Sequence, residues 1–391
     1  MQHLLVIIGI LTRAQDAKTQ TGETEDIEKI RLAMLEAQIG NTGYQELSTD
    51  SLGSALIKDG TKAIVFDNED GTKHILFLDK KKEYKLDSNG NIENLNINFD
   101  AKYVAPSSQD EERNNGVIGI GTDGKPVDMD LWEYTLLTDG TYCLNDENSS
   151  NLQETINSGY IGTIIDGKII GQIPQYISTD NGEHYMPVTS LLYTFSDITQ
   201  LKEMPKFPQT VTSIRDSFNG CTNLELIGYI PNSVTNMQGT FHGCIKLKNI
   251  SNLPSKLENM DATFQDTNLI KCPYIPDTVE TMRACFYNCS NLLSIENIPK
   301  NVTDLTLTFY RCKNLEDINI TIPNKVTNLT NTFNGCTKLS GNIKILANPA
   351  AYKNCFLETS TNINSLLKLS GDINVLQTLL ETKSENSNIV Y

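Results

Sequence analysis

The chain has 391 residues, with 48 Asp and Glu against 32 Lys and Arg and a formal net charge of −16 at pH 7. That acidity argues against a nucleic-acid or anionic-membrane partner, either of which calls for basic patches, and the length allows two or three domains. A single Trp (Trp132) and four His (His3, His74, His184, His242) leave few of the usual catalytic groups.

Residues 4–11 form an apolar run of eight, well short of the ~18 needed to cross a bilayer, and without the basic flank of a signal peptide. Ile27, Ile30, Met34 and Ala37 come next at steps of three, four and three, which predicts an amphipathic helix over 24–39 with Gly40 as its stop. Lys62–Phe66, His74–Leu78 and Glu83–Leu86 read as three strands, the first two joined by the turn-rich loop 67–71. The stretch Gly9-Ile10-Leu11-Thr12-Arg13-Ala14-Gln15-Asp16-Ala17-Lys18 resembles the exit of the membrane helix in type IV pilin-like proteins, and the helix and sheet over residues 8–95 suit that plan. The resemblance implies membrane or envelope attachment through the N-terminus. The family's leader has no counterpart in the first residues, so the expectation is a start upstream of Met1 or a decayed export segment.

Residues 105–115 are polar and aperiodic, a linker between a 1–104 unit and a second β-rich unit over 116–185. In the latter, strands are predicted at 131–137, 161–165 and 168–171, with Asp166-Gly167 as a type I′ hairpin turn. This unit is expected to cap the start of the C-terminal half.

From residue 186 the sequence repeats. Phe195, Phe218, Phe241, Phe264, Phe286, Phe309, Phe333 and Phe356 are spaced 23, 23, 23, 22, 23, 24 and 23 residues apart. Such a period belongs to arrays whose units stack on their neighbours. Counted from the Phe, an aliphatic residue or Met stands four before it in seven repeats and Tyr352 in the last, a Val or Leu seven before in seven repeats, Cys or Thr three after in seven, and Leu six after in six. Val234, Met237, Phe241 and Cys244 fall at steps of three, four and three, which predicts one face of a short helix. Cys244, Leu247, Ile250 and Leu253 recur every third residue, which predicts a short strand with bends, halted by Pro254. The fold class predicted is therefore α+β: a leucine-rich-repeat solenoid of about eight 23-residue coils over 186–356, preceded by an N-terminal helix and small β-rich domains. Leu366–Gly371 and a helix over 372–382 are expected to cap its end.

The segment Ile230-Pro231-Asn232-Ser233-Val234-Thr235-Asn236-Met237, followed by Thr240-Phe241-His242-Gly243-Cys244, resembles the repeat of BspA-type leucine-rich-repeat surface proteins. The resemblance covers roughly 186–356 and implies a bacterial surface protein, often assigned to adhesion, with no shared catalytic residues. The fourth repeat departs from it: Thr267 replaces Cys, and Leu269 sits one place early.

Nine cysteines invite a disulfide or metal reading, yet five of them (Cys221, Cys244, Cys289, Cys312, Cys336) share one repeat position. That favours small buried hydrophobes filling a slot. Neighbouring thiols could lie in disulfide range but would point in parallel toward the core. Gly119–Gly124 fits G-x-G-x-x-G, but Pro126 stands where a dinucleotide site needs a helix, so a turn is expected. The loops from Asp67 and Asp87 lack the glycine and glutamate of a calcium loop. His184 beside Glu183, and Cys143, are the nearest approaches to catalytic groups; neither forms a constellation, and no catalytic, metal or cofactor site is assigned.

The leading functional expectation is a surface or extracellular binding protein for a protein or glycan. Its candidate contacts are the polar strand-side residues Lys248, Asn249, Glu296, Asn297, Asp317 and Asn319. The alternative is a structural component of a surface filament or envelope assembly, with an enzyme third.

Overall fold

A computed structural model describes residues 23–39, 52–53, 55–56, 63–67, 72–77, 82–95, 117–145, 160, 162–180, 182 and 184–391. The apolar run at 4–11, the pilin-like stretch at 9–18, Gly40, the loop at 68–71 and the linker at 105–115 lie outside the described residues. The chain divides into two compact units: Met1–Asp130 with Gly171–Val188 and Phe207–Thr210, and Leu131–Ile170 with Thr189–Lys206 and Val211–Tyr391.

In the first unit the predicted helix spans Glu23–Ile39 (α1). Ile30, Ala33 and Met34 are buried on one side of it, where they pack with Val65, Ile75 and Tyr84. Those partners come from an antiparallel sheet of β1 (Ala63–Asp67), β2 (Lys73–Phe77), β3 (Lys82–Leu86) and β4 (Ile92–Asn94), paired in chain order. Tyr84 donates its hydroxyl to the buried Asp26 carboxylate at 2.9 Å, fixing the helix across the sheet. The opposite face of the sheet buries His74 and Glu83, whose Nδ1 and Oε1 lie 2.5 Å apart. A buried charged side chain is tolerated only with such a partner.

The glycine-rich motif is a hairpin. Ile118–Gly121 (β5) turns at Gly124, whose N–H donates to Gly121 O at 3.1 Å, and Pro126-Val127 pairs back on Ile120 and Gly119. β5 then pairs antiparallel with Pro174–Ser178 (β6), and β6 with Met186–Ser190 (β7).

In the second unit Ile164–Ile165 and Lys168–Ile169 form the expected hairpin around Asp166 (φ 51) and Gly167 (φ 86), both positive as a type I′ turn requires. The strand predicted over 131–137 is not continuous. Met129–Leu131 is a 3-10 turn, Trp132 makes a single bridge to Tyr160, and only Thr135–Leu136 pairs, with Tyr142–Cys143.

The repeats stack. Parallel bridges link the residue five places before each Phe, from Ser190 through Ser213, Asn236, Asn259, Thr281, Asp304 and Asn328 to Ala351. The eight rings are fully buried and stack face to face, with centroids 5.2–5.8 Å apart and planes within 4–14°. These steps exceed the ~4.8 Å between strands because the rings are offset, as their quadrupoles prefer.

No helix forms around the Phe. Residues four before, two before, at and two after Phe241 (Met237, Gly239, Phe241, Gly243) donate their N–H groups to Asn259, Asp261, Thr263 and Gln265 in the next repeat, at 2.8–2.9 Å. The alternate amides close turns within the repeat: Thr240 to Met237, His242 to Gly239 and Cys244 to Phe241. The residues two before and two after each Phe have positive φ throughout, for example Asp216 (50), Gly220 (74), Asp266 (57) and Asn331 (55). A left-handed residue every fourth place cannot propagate an α-helix. The predicted strand in the other half of the repeat is reduced to single bridges, Glu203–Leu226 and Lys271–Ser294, in the earlier repeats. It is complete in Ile318–Ile322 (β8), Gly341–Ile345 (β9) and Leu367–Gly371 (β10), paired in parallel.

The short interval at the fourth repeat is absorbed away from the Phe row. The Phe264–Phe286 step, 5.7 Å, matches its neighbours, and Leu269 is still buried. Thr267 Oγ1 donates to its own Phe264 O at 2.8 Å. The cysteines at that position reach instead to the preceding repeat, Cys244 Sγ to Phe218 O at 3.1 Å and Cys312 Sγ to Phe286 O at 3.0 Å. All nine cysteines are buried and free of disulfides.

Within the second unit the first end of the stack is covered and the far end is covered beside Phe356 and Glu358. Trp132 and Tyr160 lie 6.0 and 6.1 Å from the Phe195 ring, and Leu144 N and Tyr160 N donate to Ser190 O and Thr194 O. At the far end the helix Ile373–Leu380 (α2) is capped by Asp372, whose carboxylate accepts from Asn374 N and Val375 N. Beyond α2, Thr382 Oγ1 and Ser384 Oγ accept the N–H groups of Phe356 and Glu358, at 3.0 and 2.9 Å.

Candidate binding surface of the repeat array

Within the stretch seven to eleven places after the Phe, most repeats turn one residue into the core and leave others toward solvent. Ile250, Cys272, Ile295 and Ile318 are buried, while their flanking positions are exposed or, at Pro273 and Ser294, half-buried. Consecutive repeats are joined along this side by backbone bonds: Ile270 N donates to Lys248 O and Leu293 N to Ile270 O, both at 2.9 Å. Lys248, Ile270 and Leu293 therefore succeed one another from repeat to repeat.

Of the six polar candidates, Lys248, Asn249, Glu296, Asp317 and Asn319 are exposed. Glu296 is paired with Lys271 of the preceding repeat at 3.0 Å. Asn319 lies on the exposed side of β8, in register with Asn342 and Lys368. Asn297 is half-buried and uses both ends of its amide on one residue, accepting from Ile275 N at 2.9 Å and donating to Ile275 O at 2.8 Å. Its place is in the scaffold: a side chain so engaged has little left to offer a ligand.

The same side carries apolar groups that a search for polar residues passes over. Leu226 is 60% exposed, Tyr274 55%, Tyr229 48% and Leu293 44%. Their signal in the sequence is an aromatic or aliphatic residue at positions that are polar in other repeats, as with Lys206 and Asn252 against Tyr229 and Tyr274. Large apolar side chains grouped on one exposed face mark interaction surfaces, and aromatic residues are enriched in them. Ion pairs run between repeats around this face. Lys300 Nζ sits 2.9 Å from Asp277 Oδ2, and its hydrogen bond holds the Asp277 carboxyl below the usual carboxylate range.

The groups nearest to catalytic chemistry have other employment. His184 Nδ1 pairs with Asp180 Oδ2 at 2.6 Å, and Ser178 donates to the other oxygen of the same carboxylate at 2.7 Å. The carboxylate thus stands between serine and histidine and cannot orient the histidine toward the hydroxyl, as a nucleophilic triad requires. Glu183 lies outside the described residues. Cys143 is buried, with its thiol directed at Ser190 Oγ. The Asp87 carboxylate is taken by Asn89 N, Asn91 N and the Asn91 amide within the β3–β4 turn. Among the described residues no group of three or more His, Cys, Asp or Glu is placed to hold a metal ion.

Residues 191–284 and 260–378 match the BspA-type leucine-rich repeat region, in six copies. Two solved structures resemble the chain: a leucine-rich repeat protein of T. pallidum and one of Bacteroides ovatus. The first has 21% identity and a TM-score of 0.39, over 54% of this chain and 89% of that one. The second has 22% identity and a TM-score of 0.34, over 61% of this chain and 70% of that one. No curated protein matches the chain. The repeats thus have a leucine-rich-repeat type of fold, and across the described residues the chain has antiparallel and parallel sheets and two helices. The pilin-like resemblance of residues 8–95 gains no support from these matches.

Proposed function

We propose that the protein is a cell-surface or secreted binding protein, in which eight coils form a solenoid that presents one broad side to a protein or glycan. The observation that carries this reading is the match of residues 191–378 to the BspA-type repeat, joined to an exposed face on which Tyr229, Tyr274, Leu226 and Leu293 stand among Lys248, Asn249 and Glu296. Adhesion is the expected outcome of that binding, since the residues form a wide surface rather than a reactive centre. Among the described residues no helix is long and apolar enough to cross a membrane, and attachment through the N-terminal segment belongs to this proposal. Assembly into a filament by stacking array on array is disfavoured by the covered first repeat, where Ser190 O and Thr194 O already have donors.

The test is binding of the purified full chain to arrays of mucin glycans, matrix proteins and bacterial envelope extracts. Tyr229→Ala with Tyr274→Ala should weaken binding at least about tenfold, since aromatic anchors dominate such surfaces. Binding that is undetectable, or unmoved by that pair and by Lys248→Glu, would remove this face from the function.

A further inference from the structure

The last repeat is closed on one side only. In six of the seven preceding repeats, the N–H groups four and two places before the Phe both donate to carbonyls of the next repeat; in the Phe286 repeat Ala284 N does so. Leu329 N and Asn331 N, for instance, reach Ala351 O and Lys353 O at 2.7 and 2.8 Å. In the last repeat the corresponding groups are Tyr352 N and Asn354 N. Neither has an acceptor among the described residues, although Phe356 N and Glu358 N beside them are taken by Thr382 and Ser384. Beside Tyr352 the loop 345–349 and α2 enclose a cleft of about 680 Å³, with Ile345, Ala347, Pro349, Val375 and Leu379 in its walls. That size is usual for ligand sites, ~300–1,000 Å³.

We propose that this half-open edge is a docking site for an extended polypeptide segment from another protein. Two of its carbonyls, at i and i+2, accept from Tyr352 N and Asn354 N, and an apolar side chain enters the cleft. The occupant is read from the array itself, because each earlier edge of this kind is filled by such a segment. On the Phe309 repeat it is residues 326–331, whose Asn328 O and Thr330 O accept from Leu305 N and Leu307 N at 3.0 Å, while Val326 and Leu329 are buried. Addition of a strand to an exposed edge derives its affinity from such main-chain bonds and its selectivity from alternate side chains. A second copy stacking through its first repeat does not suit the edge, because the Ser190 carbonyl, which would have to accept from Tyr352 N, already accepts from Leu144 N at 3.0 Å.

The probe is a labelled peptide copying residues 323–331, added to the full chain. It should bind with a Kd of about 1 mM or tighter. In amide-resolved hydrogen exchange, Tyr352 and Asn354 should slow at least about tenfold, with Phe356 and Glu358 unchanged. Val375→Arg, which fills the cleft, should raise the Kd at least about tenfold while the Phe333 amide stays protected, showing that the fold is intact. Any of three results would overturn the proposal: no binding in that range, binding that leaves Tyr352 and Asn354 unprotected, or binding indifferent to Val375→Arg. Self-association of the full chain that Val375→Arg abolishes, without peptide binding, would assign the edge to a second copy and would equally overturn it.

Discussion

Single side chains in this array do work that only makes sense as part of a row. Phe241 has a ring 5.8 Å on either side of it and no exposure. Phe241→Ala should cost about 3–5 kcal/mol, because neighbours fixed by their own stacking cannot collapse into the cavity; chemical denaturation measures it. The cysteine row adds a polar function to packing, each thiol donating to a Phe carbonyl one repeat back. Thr359 performs the same task with its hydroxyl, to Phe333 O at 2.7 Å. Cys312→Thr should therefore be tolerated, whereas Cys312→Val, of the same shape, should cost about 1 kcal/mol more through the lost donor. Burial pushes the thiols of Cys221 and Cys289 up to about 12, against about 8.5 in an unfolded chain. Protons thus leave the unfolded state first. The stability these groups contribute is whole below about pH 8.5 and is lost as pH rises toward 12. Urea midpoints should be flat through neutral pH and fall above pH 9, with the thiols inert to labelling until denaturant is added.

At the scale of elements, backbone conformation decides what the side-chain pattern leaves open. Gly341 opens β9 at φ 96, and a Cβ there would lie 2.2 Å from Ile318 O. Since that neighbour is backbone and cannot yield, Gly341→Ala should cost about 1–3 kcal/mol, while Gly228→Ala, with only Met204 Cε at 3.9 Å, should be close to neutral; thermal melts of the two compare them directly. The Phe period, the α1 face and the Asp166-Gly167 turn were all readable from spacing, because each is a short-range rule. The arc around each Phe was not, because steps of three and four are common to a helix and to consecutive turns. The discriminating signal lay elsewhere. Asp, Asn and Gly recur two places either side of the Phe (Asp216, Gly239, Gly243, Asp266, Asn288, Asn331, Gly335), and these residues tolerate positive φ. The candidate surface was legible only as a row of polar positions: one of them, Asn297, is engaged at both ends of its amide by Ile275, and the exposed Tyr229 and Tyr274 went unmarked because an aromatic residue in a repeat carries no sign of its exposure.

At the scale of the repeat unit, the one tryptophan reports on the whole stack. Trp132 is 3% exposed and lies edge-on to Phe195, 6.0 Å away, at the start of a row of rings that ends at Phe356. Its Nε1 has no hydrogen-bond partner among the described residues. Trp132→Phe should therefore be nearly neutral, since it removes an unsatisfied donor along with some contact, while Trp132→Ala should cost about 3–5 kcal/mol. A repeat that cannot bury its apolar face alone is stable only with its neighbours, so damage at one end should be felt at the other. Phe333→Ala should shift the unfolding transition seen by Trp132 fluorescence, and shift it as far as the transition seen by circular dichroism. A fluorescence midpoint left in place while the dichroism midpoint falls would mean that the stack unfolds in pieces, with interfaces too weak to couple the far repeats to the first.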